Sequence, residues 1–172
     1  MVWGRVQAQR ARGRAYQPGF EHRQVVASWL GGLLAITVLG LISSWSHYAL
    51  VVAPFGASTV LLFGHPASPL AQPRNIVLGN TLAAAVSVFC VMALGTAPWV
   101  MGLAVGATIA IGQLLRCLHP PAGAVALLGV LLQAHPSYVV VPVFSGSLLL
   151  TALAVLFHRL QRSPIPYPHH WL

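Results

Sequence analysis

Carboxylates are almost missing from this chain. Glu21 is the only acidic residue in 172, lysine is absent, and all nine basic residues are arginines. Charged residues make up 6% of the chain, against about 25% in an ordinary soluble domain. A soluble fold of this length needs a polar shell that this composition cannot supply. A bilayer removes that need, because lipid tails solvate apolar side chains. With no acid after Glu21, the usual ligands of intramembrane cation sites are missing, and so are the carboxylates that acid–base enzymes rely on. An enzyme is therefore not expected.

Cysteine is scarce as well. Cys90 and Cys117 lie in apolar surroundings without CxxC spacing, which excludes a disulfide framework. No His/Cys spacing supports a metal, and no cofactor is expected. The formal net charge of +8 could suggest a nucleic acid partner. The arginines, however, sit at the ends of apolar runs and are not interleaved with a polar or aromatic face. They read as a topology signal, and nucleic acid is excluded as a partner.

The sequence is rich in apolar runs, with 57% hydrophobic residues. Residues 1–24 form a basic tail, expected to be cytoplasmic, with Arg5, Arg10, Arg12, Arg14 and Arg23. Residues 25–160 form the membrane domain, and residues 161–172 a short tail rich in Pro, His and aromatics, whose Tyr167 and Trp171 suit a membrane interface. The membrane domain divides into Val25–Ser43, Tyr48–Gly64, Asn75–Gly95, Pro98–Leu115, Leu118–Ala134 and Tyr138–Phe157. The expected fold is an all-α, polytopic transmembrane bundle of about six apolar segments. With the N-terminus cytoplasmic, six crossings place every arginine on the cytoplasmic side. The second and fifth segments are short and carry helix breakers, so re-entrant broken segments, and hence four crossings, stay open. The localisation implied is a multi-pass membrane protein. The bacterial inner membrane fits best and the chloroplast envelope less well.

The two short segments resemble each other. Pro54-Phe55-Gly56-Ala57 overlays Pro121-Ala122-Gly123-Ala124, with Leu61 over Leu128. The chain then reads as two units of three segments, over roughly 25–95 and 98–158. An odd number of crossings per unit inverts the second against the first, a recurring transporter design. Gly102-x-x-x-Gly106, with Ala110 one turn on, is a small-residue stripe expected to pack inside the bundle. A homo-oligomer stays open.

A proline in the first helical turn starts a helix at each break. The first turn of a helix leaves N–H groups unpaired and carries partial positive charge, so a small anion fits there. Gly56 and Gly123, followed by Ala57 and Ala124, allow close approach to the backbone. Ser58 and Thr59 add hydroxyls, and His119 can donate or titrate. Arg74 and Arg116 lie near the breaks; Arg116 also suits a helix C-terminus, and Asn75 suits an N-cap. The candidate substrate-binding set is Gly56, Ala57, Ser58, Thr59, Arg74, Asn75, His119, Gly123 and Ala124. The partners implied are the lipid bilayer and a small anion.

Three motifs in order carry a resemblance. They are Phe55-Gly56-Ala57-Ser58 with Val60-Leu61-Leu62-Phe63, then Ser68-Pro69-Leu70-Ala71-Gln72-Pro73-Arg74-Asn75, then Leu118-His119-Pro120-Pro121-Ala122-Gly123-Ala124. With them the chain resembles the HPP family of integral membrane proteins over roughly residues 25–160. The resemblance implies about four transmembrane helices and, from members implicated in nitrite transport, a small-anion substrate. Where the family pattern implies a His shortly after Pro-Arg-Asn, this chain has Asn80. The function expected is a transporter or channel for a small inorganic anion such as nitrite. A membrane anchor or assembly module is the alternative.

Overall fold

The structure, a computed structural model, describes residues 19–46, 53–161 and 166–171, together with Val6 and Gln9. Arg5, Arg10, Arg12, Arg14 and Arg162 lie outside the described residues, as do residues 47–52 at the start of the second apolar segment. The regular elements among the described residues are all helices, with no strand among them. Helix α1 is His22–Ser46 and α2 is Ala53–Thr59, which opens into a π-helical turn over Val60–Gly64. A 3-10 turn over Pro69–Ala71 leads into α3, Pro73–Leu94. Then come α4, Pro98–Leu114, and α5, Pro120–Leu131. A kinked stretch over Val139–Phe144, with Val141 extended at φ −130 and ψ 119, leads into α6, Ser145–Leu160.

Each of the six expected segments is a helix, to within a few residues at the described ends. His22–Ser46, Pro73–Leu94 and Val139–Leu160 are long and apolar enough to cross a membrane. The 17 residues of α4 reach about 25 Å, and the 12 of α5 about 18 Å, at 1.5 Å per residue. A hydrocarbon core is about 30 Å thick. The two segments that carry Pro-x-Gly-Ala, Ala53–Gly64 and Pro120–Leu131, are the shortest of the six, as the breaks require.

Proline sets the helix starts. Pro73, Pro98 and Pro120 each occupy the first turn of a helix, where the missing N–H costs nothing and φ is already helical. The stops are Schellman-type caps. After α4, the Arg116 N–H bonds the Gln113 carbonyl and the Cys117 N–H bonds the Gly112 carbonyl. After α5, Gln133 and Ala134 bond Val130 and Gly129 in the same way. This cap needs a left-handed residue, and Arg116 sits at φ 54. A side chain there costs about 1 kcal/mol relative to glycine. Arg116→Gly is therefore expected to raise the thermal midpoint by roughly 3 °C in a micellar melt.

The principal helix contacts are unchanged when the two units are exchanged. Within the units, α1 packs on α2 as α4 packs on α5. Between them, α1 packs on α6 as α4 packs on α3, and α2 on α6 as α5 on α3. The pairs that map onto themselves, α2 with α5 and α3 with α6, are also in contact. At one such contact the Asn80 amide donates to Ser147 Oγ at 3.1 Å. These residues are 67 apart, the same spacing that separates Pro54 from Pro121. Each follows a glycine, Gly79 and Gly146. Equivalent residues of two units related by a two-fold axis meet in this way, so the contact is what a repeat taking in α3 and α6 would require.

The core is in two parts. Ala83, Ala84, Ala104, Val125, Ala126 and Val130 close one between α3, α4 and α5. Leu39, Phe55, Leu62, Ile76 and Leu150 fill the other, between α1, α2, α3 and α6. Alanine in the first lets backbones approach closely, which favours association where lipid already solvates the helices. The small-residue stripe differs from expectation. Gly102, Gly106 and Ala110 face outward, and a Cβ at either glycine would meet nothing within 4 Å. The buried face of α4 is the opposite one, through Val100, Ala104, Thr108 and Gly112.

Candidate functional site

His119 is the link between the two breaks. It caps α5 and is 2% exposed. Its Nδ1 lies 2.9 Å from the Leu70 carbonyl and its Nε2 lies 2.8 Å from Ser58 Oγ. A carbonyl only accepts, so Nδ1 carries the proton and Nε2 of the neutral ring accepts from the Ser58 hydroxyl. Ser58 lies in α2, fully buried. One imidazole thus ties the first broken segment, the 65–72 loop and the start of the second broken segment together.

The motif Pro73-Arg74-Asn75 holds the turn that presents His119. The Arg74 guanidinium donates to the Leu115 carbonyl at 2.9 Å, and the Asn75 amide donates to the Leu118 carbonyl at 2.8 Å. One turn further along α3, Gly79 lies beneath the same loop. A Cβ there would stand 2.6 Å from the Cys117 carbonyl oxygen and 2.9 Å from His119 Cβ. Two sequence expectations change here. The N-cap of α3 is Gln72, with Pro73 after it, so Asn75 sits inside the helix instead of capping it. Arg74, placed against the helix dipole, is compensated by the terminal carbonyls of α4.

The loop before α3 is as firmly built. The Gln72 amide donates to the Pro66 and Ser68 carbonyls, and its oxygen accepts the His169 N–H at 2.9 Å. The Tyr167 hydroxyl donates to the Ala71 carbonyl at 2.9 Å. Tyr167 is buried and its ring packs on His158, so it anchors the C-terminal tail to the protein and is not an exposed interface residue. Burial pushes its phenol well above the ordinary pKa. Trp171 is exposed, as an interface residue would be.

A cavity of about 370 Å³ opens beside His119, between α3, α4 and α5. Gly79, Thr108, Gly112, His119 and Gly123 line it with apolar neighbours. Thr108 is 4% exposed, and its hydroxyl has no partner among the described residues. Asn80 Oδ1, beside the two-fold contact, is likewise buried and unpaired.

The expected residues separate into three groups. Ser58, His119 and Gly123 come together at the node and its cavity. Arg74 and Asn75 support the node from α3. Gly56, Ala57 and Ala124 face outward, and no atom lies within 4 Å of a Cβ built on Gly56. Thr59 bonds back to the Phe55 carbonyl at 2.7 Å. The helix N-terminus of α5 offers few donors, since Pro120 and Pro121 have no N–H and the Ala122 N–H bonds the His119 carbonyl. Helix α2 has only seven residues in α-helical form. Polar side chains, more than backbone amides, therefore make this site. The residues missed from sequence are Leu70 through its carbonyl, Gly79 and Thr108. Gly79-Asn80 and Gly146-Ser147 share the 67-residue spacing of the breaks, and that signal would have pointed to the α3–α6 contact.

The HPP transmembrane-region family profile matches residues 17–168, which takes in every helix above. The chain belongs to the HPP transmembrane family. Two proteins of Dictyostelium discoideum, both named only as transmembrane proteins, are similar to it. One is 36% identical over 160 residues, covering 84% of this chain and 50% of the relative. The other is 38% identical over 162 residues, covering 84% and 54%. The chain spans about half the length of these curated relatives. No solved structure matches it. Within this HPP chain, the family-like motifs are structural partners: Ser58 and Leu70 each bond His119, while Arg74 and Asn75 hold the turn between α4 and α5.

Proposed function

We propose that the chain passes a small inorganic anion such as nitrite across a membrane, without chemically converting it. The observation that carries this reading is the bond between Ser58 and His119, which joins the two broken segments at the wall of a cavity. Broken helices at matching places in two repeats, meeting near a cavity, fit the architecture of secondary transporters. The cavity offers the unpaired Thr108 hydroxyl and no carboxylate, which suits an anion better than a cation. Nitrite itself rests on the family resemblance. The arginine placement supports a cytoplasmic N-terminus and the bacterial inner membrane.

Gly123→Leu tests the reading. Nothing lies closer than 4.0 Å to a Cβ at Gly123, so the helix accepts a side chain there, and that side chain fills the cavity. Purified wild-type protein in liposomes is expected to take up nitrite above the empty-liposome rate. Gly123→Leu is expected to lose at least about tenfold of that uptake with an unchanged melting curve, because a filled cavity admits no solute. Uptake equal to empty liposomes across several pH gradients would sink the proposal. A second reading, a non-transporting anchor or assembly module, is favoured by the internal pairing of Ser58, Thr59, Arg74, Asn75 and His119. It expects Gly123→Leu to leave cellular function intact.

A further inference from the structure

Away from the His119 cavity, a second cavity of about 420 Å³ lies where the N-terminal end of α1 meets the last turn of α6 and the π-helical turn after α2. Glu21, Arg23, Gln24, Ser28, His158 and Gln161 supply its polar lining. Glu21, the chain's only carboxylate, is thus gathered with an arginine at the end of the bundle.

His158 is the deepest of these groups, 8% exposed. Its Nε2 lies 2.9 Å from the Leu62 carbonyl, so Nε2 carries the proton and donates. Its ring stacks on Phe63 with centroids 5.8 Å apart. Nδ1 is then a buried lone pair with no partner among the described residues. An unpaired acceptor of this kind costs free energy unless a donor reaches it. Glu21 is a second acceptor, and the C-terminal end of α6 adds negative potential. Arg23 and the N-terminal end of α1 add positive potential. The cavity therefore fits a small group that carries an oxyanion and a hydrogen-bond donor together. Among the described residues no three His, Cys, Asp or Glu side chains gather to hold a metal.

A narrower groove of about 160 Å³ begins where this cavity ends. Phe63 and Phe157 line both. The groove is wholly apolar and follows α1 from Gly31 to Val38, facing Leu153, Leu156 and Leu160 of α6. The seven rises from Gly31 to Val38 span about 10 Å. A polar cup at the helix ends, continued by an apolar slot along the helices, has the shape and chemistry of a single phospholipid. Basic pockets between helices at a membrane face bind phospholipid head groups.

We propose that this cup and groove seat one phospholipid with a phosphoethanolamine head group. The phosphate faces Arg23 and the start of α1. The ammonium donates to His158 Nδ1 and to Glu21, and an acyl chain lies between α1 and α6. A choline head group cannot donate to either acceptor. A phosphatidylglycerol head group offers Glu21 a hydroxyl but no positive charge.

The test is lipid retention by the delipidated, detergent-purified full chain, read by native mass spectrometry with chain-matched lipids. Phosphatidylethanolamine is expected to be retained about tenfold more tightly than phosphatidylcholine or phosphatidylglycerol, the worth of a charge-assisted bond. Glu21→Gln should cut that preference severalfold. Arg23→Gln should weaken all three lipids by a similar factor. Both residues are exposed at the helix end, so the fold survives either change. Equal retention of the ethanolamine and choline lipids, equal retention of phosphatidylglycerol, or a preference unchanged in Glu21→Gln would overturn the proposal. So would soluble phosphoethanolamine binding as tightly as the lipid, since the groove would then contribute nothing.

Discussion

Gly79→Ala is expected to destabilise the protein by about 2 kcal/mol and to lower its thermal midpoint by roughly 6 °C. The added methyl would stand 2.6 Å from the Cys117 carbonyl oxygen and 2.9 Å from His119 Cβ. Neither atom is the free end of a flexible side chain. Cys117 belongs to the cap that ends α4, and His119 is fixed by bonds to Ser58 and Leu70. The turn must therefore move away from α3, stretching the Arg74 and Asn75 bonds to the Leu115 and Leu118 carbonyls. Alanine's better helix propensity returns up to about 1 kcal/mol, so the strain must exceed that for the net loss expected. The control is Gly56→Ala, where no atom lies within 4 Å and the same substitution is expected to be neutral or slightly stabilising. Melting curves of the two variants in one detergent make the comparison. Equal midpoints would mean that the turn is not seated on Gly79.

Hydropathy and proline placement made most of this fold legible in sequence. Uncharged runs long enough to span, punctuated by Pro73, Pro98 and Pro120, located α3, α4 and α5 to within two residues at their first turns. The two Pro-x-Gly-Ala breaks mark the two shortest helical segments, Ala53–Gly64 and Pro120–Leu131. What could not be read was which face of each helix is buried. In lipid the outward face is as apolar as the inward one, so the period that betrays orientation in a soluble helix is missing. The Gly102–Gly106 stripe went wrong for this reason. Small residues pack helices when they point inward, and on α4 it is Ala104 and Thr108 that do so.

The candidate site was legible as a set of residues and not as a set of roles. His119 and Gly123 do line one cavity, and Ser58 bonds His119 behind its wall. Arg74 and Asn75 read from sequence as ligands for an anion, yet each commits a donor to a backbone carbonyl at or just after the end of α4, Leu115 and Leu118. The same rule explains both outcomes. A polar group inside a bilayer must find a partner, and a sequence shows the need without showing who meets it. His119 looked like an isolated titratable side chain. Its two partners are a carbonyl from residue 70 and a hydroxyl from residue 58, neither of which lies near it in the chain.

The second large effect is expected at that imidazole. His119→Ala removes a fully packed ring, leaves the Leu70 carbonyl and the Ser58 hydroxyl without their partner, and should cost about 3–4 kcal/mol. Ser58→Ala leaves only Nε2 unpaired and should cost about 1–2 kcal/mol. Because the two side chains share one bond, the double variant is expected to lose about 1 kcal/mol less than the sum of the singles. Unfolding midpoints of the four proteins close the cycle, and strict additivity would show that the Ser58–His119 bond adds nothing to stability. Transport adds a separate readout in variants that still fold. Nδ1 is committed to the Leu70 carbonyl, so Nε2 is the atom that can take a proton. When it does, it turns from acceptor to donor, and the buried Ser58 hydroxyl must turn its proton to another acceptor, which rearranges the node behind the cavity wall. Anion uptake should then rise as pH falls in the wild type and lose that dependence in Ser58→Ala, measured against empty liposomes at each pH. A pH profile that Ser58→Ala leaves unchanged would assign the bond to architecture alone.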